Sequence, residues 1–288
     1  MSANDPELLD PDDLDDRERT ALEHLCKRLG DDEFVLAERY TEWQVRSPSL
    51  ESDLALSNIA QDELGHARLW YDVLDDVGLD EEDLVYERDP DTFRHSTLVE
   101  EPFSEGDWAD AILRSYLYDV AEKLRLEALE DSSYPTIADR VGKIQGEEEY
   151  HLEHAQNWLE RLADGEDGTE RLQEALDRLF PHALTLFEPT DPDVEDDIVE
   201  LGLRTATLQD MGEEWLSIVL PFLESLDLTV PEGGLAEADG YAVTGEMLPA
   251  VRGRDGSHGE AWDELFEDLT HTYRELERDR PTKIMEQP

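Results

Sequence analysis

Ala60-Gln61-Asp62-Glu63-Leu64-Gly65-His66 and Glu147-Glu148-Glu149-Tyr150-His151 each set a glutamate three residues before a histidine. On a helix that spacing puts both side chains on one face, so each pair can grip a single metal ion. The spacing alone is weak evidence. Of 288 residues 76 are acidic, and Asp255/His258 and Asp268/His271 share the pattern. The flanking sequence strengthens it. Pro48 is equidistant from Glu33 and Glu63, and the Ser133–Tyr134 junction is equidistant from Asp119 and Glu148. If each of these breaks is the turn of an antiparallel hairpin, a lone carboxylate faces a Glu-x-x-His at the same level, twice over.

Working outward, apolar residues recur at intervals of three and four throughout, with few alternating β-branched runs. The pattern predicts helices over about 16–46 (broken or kinked at Gly30), 50–77 (closed by Gly78), 107–130 and 135–163. Residues 79–106 read as irregular, with a short strand or turn at 96–99. After a break at Gly165 and Gly168, shorter helices follow at 169–187, 193–204 and 206–226. A Pro- and Gly-rich loop or flap covers 227–257, a last helix 258–278, and a mobile tail follows Pro281. The predicted fold class is all-α, a four-helix bundle with additional C-terminal helices. Its organisation is an acidic mobile N-terminus (1–15), the bundle with its extra helices (16–226), and a loop and C-terminal helix (227–288) packed on the same domain.

Around Glu63 the same helix face carries Leu56, Ile59, Ala60, Ala67 and Trp70, and around Glu148 it carries Val141, Ile144 and Trp158. Ionised carboxylates on core faces are costly unless paired or metal-bound. Glu33, Glu63, His66, Asp119, Glu148 and His151 are therefore the candidate ligands of two divalent ions, iron or alternatively manganese. Four negative charges against two dications leave a nearly neutral core. Glu38 or Glu42 stands as an alternative to Glu33, and Glu122 to Asp119. The plainer reading assigns any one of these carboxylates to a solvated acidic face. His154 is expected on the surface or just outside the ligands. Asp62 and Glu147 neighbour ligand positions in sequence but point to other faces, so they are not expected to orient the histidines. His24, His95 and His182 read as ordinary, and Trp70, Tyr116 and Tyr150 as core or pocket lining.

Composition sets the surroundings. Against 24 basic residues the acidic ones give a net charge of −52, which repels phosphate backbones and anionic lipid, so neither nucleic acid nor membrane is an expected partner. Only Lys27, Lys123, Lys143 and Lys283 are lysines. Such a carboxylate-rich, lysine-poor skin resembles those of proteins in a salt-filled cytoplasm, where self-repulsion is screened within a few ångströms. Cys26 is alone, so no intrachain disulfide and no cysteine-based metal site is expected. Neither a signal peptide nor an eighteen-residue apolar run is present in this sequence, and the expected location is cytoplasmic.

Several stretches also carry a family resemblance. Asp32-Glu33-Phe34 through Thr41-Glu42-Trp43, Ser47-Pro48-Ser49-Leu50-Glu51 and Asp62-Glu63-Leu64-Gly65-His66 resemble the phenylacetic acid catabolic protein family, which holds the ferritin-like subunits of the multicomponent phenylacetyl-CoA 1,2-epoxidase. Leu98-Val99-Glu100-Glu101-Pro102, Asp107-Trp108-Ala109-Asp110 and Trp158-Leu159-Glu160-Arg161-Leu162 extend the likeness to about residue 190 and lie nearer the C-type than the catalytic A-type subunits. The resemblance implies a ferritin-like bundle, a homologous bundle protein and a separate reductase as partners, and an aryl-acyl-CoA substrate. A-type subunits carry a di-iron centre, and C-type subunits are structural partners that lost the ligands. Here Glu33, Glu63, His66, Asp119, Glu148 and His151 fill all six A-type positions. That implies a non-haem di-iron oxygenase component, which takes electrons from the reductase and uses O2 to add one oxygen atom to an aromatic ring. The alternative is a C-type scaffold. An iron-storage bundle is the third reading, opposed by the extra helices after residue 165. No phosphate loop marks a CoA site, and scattered arginines such as Arg39 and Arg46 specify none.

Overall fold

The computed structural model describes residues 8–102, 106–230, 235–237, 241–243 and 247–275. Helix α1 (Asp16–Trp43) starts where Asp15 and Glu18 form a reciprocal capping box. It stops before Pro48, and Ser49 accepts the Ser52 N–H to open α2 (Leu50–Val73). A 3₁₀ turn over Leu74–Val77 carries α2 to Gly78, whose φ of 85° is the left-handed cap that the sequence predicts. The second hairpin is built the same way. Asp107 and Asp110 box the start of α4 (Trp108–Leu129), and Pro135 occupies the first turn of α5 (Pro135–Ala163). α1 packs along α2, α4 along α5, and α2 meets α5 across the middle, giving an all-α four-helix bundle.

The outer elements follow in order: α3 (Thr97–Glu100), α6 (Glu166–Ala183), α7 (Pro192–Glu200), α8 (Leu208–Ser225) and α9 (Glu260–Glu275). α6 and α8 cover α4, and α7 covers α1. A short antiparallel ribbon, β1 (Leu235–Glu237) with β2 (Tyr241–Val243), pairs Ala236 with Ala242 inside the segment that the sequence reads as loop. Leu9 donates its N–H to the Ser133 carbonyl, and a 3₁₀ turn covers Pro11–Asp13. Residues 1–7, part of the N-terminal segment expected to be mobile, and the tail after Pro281 lie outside the described residues.

Four expectations need correction. α1 runs unbroken through Gly30, because the residue makes room rather than a kink: a Cβ there would lie 2.5 Å from the Tyr71 ring. Gly168 lies inside α6 rather than before it, where a Cβ would come within 1.9 Å of the Leu162 carbonyl oxygen. Of the strand or turn expected at residues 96–99, the strand is the part to correct: the chain makes a helical turn, since the Ser96 hydroxyl caps the Leu98 N–H while Asp32 holds the Ser96 N–H. Finally, the end of the 227–257 segment is docked. Arg254 is fully buried and donates to Asp32 Oδ2 at 2.6 Å and to the carbonyls of Thr185 and Arg94.

Candidate metal centre

Glu33 from α1, Glu63 and His66 from α2, Asp119 and Glu122 from α4, and Glu148 and His151 from α5 all turn into the bundle core, none more than 3% exposed. Two three-residue sets have ligand atoms within 4.8 Å of one another, Glu33–Glu63–His66 and Glu63–Glu148–His151, so Glu63 is common to both. His66 Nδ1 lies 3.2 Å from Glu148 Oε1, 3.9 Å from Glu63 Oε2 and 4.0 Å from Glu33 Oε2. His151 Nδ1 lies 3.2 Å from Glu148 Oε1 and 3.5 Å from Glu63 Oε1. The two imidazole rings stand 6.2 Å apart.

The structure thus brings five of the six predicted residues into the two sets, with Asp119 beside them. Asp119 Oδ2 accepts from the Ser115 hydroxyl at 3.2 Å, while Oδ1 has no partner. Both α4 carboxylates are buried, and each keeps one oxygen, Asp119 Oδ1 and Glu122 Oε1, without a hydrogen-bond partner. Arg125 holds the other Glu122 oxygen at 3.1 Å. Glu38 is only partly buried, and Glu42 is exposed and paired with Arg39, so neither replaces Glu33.

The orienting groups lie across the bundle. Glu147 Oε2 sits 2.7 Å from His66 Nε2, and Asp62 Oδ2 sits 3.4 Å from His151 Nε2. Each hairpin therefore holds the other's histidine. A carboxylate accepts only, so the Nε2 proton is fixed and Nδ1 faces the centre. Sequence adjacency argued against this role because it considers one helix at a time. A carboxylate immediately before each Glu-x-x-His glutamate was the available signal.

Electrostatics makes the same point. Burial raises the Glu33 carboxyl well above the usual range, and the nearby Glu63 charge raises it further. Burial, then the Glu148 charge, does the same to Asp119. Burial lifts Glu122 to about 7 despite Arg125. For His66, burial favours the neutral ring but is outweighed by Glu148, Glu63 and Glu147, and its pKa rises to about 9. His151 rises too, against its burial, through Asp62, Glu148 and Glu63. Both oxygens of Glu33, Glu63 and Glu148, together with Nδ1 of His66 and of His151, are buried without a hydrogen-bond partner. Unpartnered buried donors and acceptors are normally rare. Here they face one another, the arrangement that divalent cations satisfy, displacing the protons that the histidines would otherwise hold.

Other sequence candidates fall elsewhere. Tyr150 is 48% exposed and lines, with His154 and Trp158, a surface groove between α2 and α5. Trp70 and Tyr116 are plain core, Tyr116 lying 4.6 Å from the Phe222 ring. Arg39 is structural, donating to the carbonyls of Glu100 and Ala261. His24 lies 3.5 Å from Glu195, and His182 lies 2.9 Å from the Thr97 hydroxyl. His95 is less ordinary than its sequence suggests. With Glu100 and His258 it forms a third His/carboxylate group, and the two rings stack at 4.2 Å. Hydrogen bonds satisfy its carboxylate, since Glu100 takes His95 Nε2 at 2.8 Å, His258 at 2.9 Å and the Gly259 N–H at 2.8 Å, while His95 Nδ1 is left without a partner.

Comparison with known proteins agrees with this architecture. The sequence matches the phenylacetic acid catabolic protein family over residues 5–280. It is 30% identical over 252 residues to the C subunit of the 1,2-phenylacetyl-CoA epoxidase of Escherichia coli (strain K12), covering 86% of this chain and 94% of that relative. Against the A subunit of the same enzyme it is 27% identical over 196 residues, covering 67% of this chain and 63% of that relative. Matched almost end to end and folded as an all-α, ferritin-like bundle, the chain belongs to the phenylacetic acid catabolic protein family.

Proposed function

We propose that this chain is a component of a phenylacetyl-CoA epoxidase-type oxygenase acting in phenylacetate catabolism, and that its bundle core holds two iron ions. Glu33, Glu63 and His66 would hold one and Glu63, Glu148 and His151 the other, with Asp119 beside the second. The observation that carries the reading is the set of buried, mutually facing ligand atoms left without hydrogen-bond partners. Oxygen and nitrogen donors of this kind suit manganese as well as iron. When bound, the metal pair supplies O2 reduction with electrons from a separate reductase, so that one oxygen atom is added to the aromatic ring of an acyl-CoA and the other leaves as water.

The protein's own work is positional. Glu147 and Asp62 fix the two imidazoles. Buried Tyr40, Trp70 and Tyr118 keep water from the core. Its relatives are subunits of a multisubunit enzyme, which supports a homologous bundle protein as partner, and the electrons that the O2 chemistry consumes call for a reductase. No helix among the described residues is long and apolar enough to cross a membrane, in keeping with a cytoplasmic component.

The test is metal content per chain after purification in high salt with any partner that co-purifies. About two irons, lost together in Glu63→Ala and Glu148→Ala, with epoxidation of phenylacetyl-CoA by the assembled complex, is the expected result. Metal-free protein that refuses Fe(II) overturns it. One observation favours a second reading, that of a non-catalytic scaffold: the likeness to the C subunit spans 94% of its length. Full turnover by a complex containing Glu63→Ala would establish the scaffold.

A further inference from the structure

Between α4 and α5 runs a groove of about 540 Å³ that opens to solvent and reaches Glu148. Leu126 and Leu152 form apolar parts of its wall, and Glu127, Glu130, Glu149 and Glu153 line the rest with Lys123 and polar glutamines. Lys123 leans to Glu127 at 3.9 Å, and Gln145 donates to Glu130 at 2.5 Å. Glu149 and Glu153 have no cationic partner among the described residues. On a chain of net charge −52 such a rim means little by itself. What sets it apart is Glu148, only 3% exposed, whose oxygens accept no hydrogen bond and whose Oε1 lies 3.2 Å from both imidazoles of the centre, yet which is part of the groove wall.

We propose that this groove is the path by which a divalent cation reaches the buried centre, with Glu149 and Glu153 as transient oxygen ligands and Glu148 as the inner ligand that takes over. The inference rests on the reading of the centre as a metal site. Carboxylate oxygens suit such a cation. The leucines offer no donor atoms, so the ion is handed along the carboxylates, with the neutral glutamine carbonyls as weaker oxygen donors beside them. The handover works by contact, since at molar salt the Debye length is only about 3 Å. The same rim repels the phosphates of an acyl-CoA, so the groove fits the cation and not the thioester.

The test follows Co(II) uptake by the metal-free full-length protein, by visible absorption in stopped flow, at a salt concentration where circular dichroism shows it folded. The Glu149→Gln/Glu153→Gln variant should reach the wild-type Co(II) stoichiometry about five- to tenfold more slowly. Leu152→Trp, which fills the groove without changing charge, should slow uptake as well. Glu214→Gln/Glu224→Gln makes the same charge change on exposed α8 positions and should fill at the wild-type rate. Wild-type rates in both groove variants would overturn the path. If wild type and Glu63→Ala alike take up no Co(II), the metal-site reading has failed and takes the path with it.

Discussion

Glu147, at the solvent edge of α5, holds the Nε2 of His66, a buried residue of α2, at 2.7 Å. Asp62 repeats the relation toward His151 at 3.4 Å. Glu147→Gln should therefore weaken metal binding about 10- to 100-fold while leaving the fold intact, since the glutamate is half-exposed. Asp62→Asn should have a smaller effect because its contact is longer. Isothermal titration of metal-free protein with Mn(II) reads both, and unchanged affinity in both variants would remove the cross-bundle role.

Glu33 provides a way to separate metal binding from stability. In the absence of metal, burial and the Glu63 charge raise its carboxyl well above the usual range, which favours the neutral form. Gln mimics that neutral form, so Glu33→Gln should change metal-free stability by less than about 1 kcal/mol while abolishing binding to its half of the centre. Chemical denaturation and metal analysis of the same preparation test the two halves of this expectation.

Arg254 and Asp32 form a fully buried pair, 2.6 Å apart, that ties the segment before α9 to the middle of α1. Arg125 shares Asp32 at 3.0 Å, and together the two arginines hold the Asp32 carboxyl below its usual range against the opposing effect of burial. Removing one partner leaves a buried charge undercompensated. Arg254→Met should cost about 3 kcal/mol and expose the C-terminal segment to limited proteolysis. Stability equal to wild type would mean that Arg125 suffices.

The His95–Glu100–His258 group predicts an acid-sensitive join at the same place. Burial, then His258, pulls His95 down to about 4, and the two histidines hold Glu100 down to about 2 against its burial. As pH falls, the unfolded chain takes up these protons before the folded one does. The His95 contribution is thus present above about 6.5 and lost toward 4, and that of Glu100 is present above about 4.5 and lost toward 2. In urea unfolding, the stability difference between wild type and His95→Gln should fall by an amount on the order of 2 kcal/mol between pH 7 and 4.5, which isolates this group from the upward-shifted carboxyls and histidines of the centre.

The charge of −52 sets the remaining expectation. If the acidic skin is matched to a salty cytoplasm, dialysis from molar salt to dilute buffer should unfold the protein, and salt should restore it. Circular dichroism across the series decides it, and full helicity in dilute buffer would reject the halophilic reading.

The two Glu-x-x-His pairs, their mirrored carboxylates and the prolines near the turns were enough to read the hairpins, the all-α bundle and the core-facing positions of Glu33, Glu63, His66, Asp119, Glu148 and His151. Helical periodicity fixes which residues share a face, and hairpin symmetry fixes their heights. Three features depended on packing between distant segments, about which local periodicity is silent. One is the exchange of Asp62 and Glu147 between hairpins. Another is the arrival of Arg254 at Asp32 from 222 residues away, which turns part of an expected flap into a docked strut. The third is the burial of both Asp119 and Glu122, which a sequence reading treats as rivals because it counts ligands but cannot see that Arg125 compensates one of them. Helix faces and turns are set by neighbours along the chain; which carboxylate meets which cation is set only when those faces close on one another.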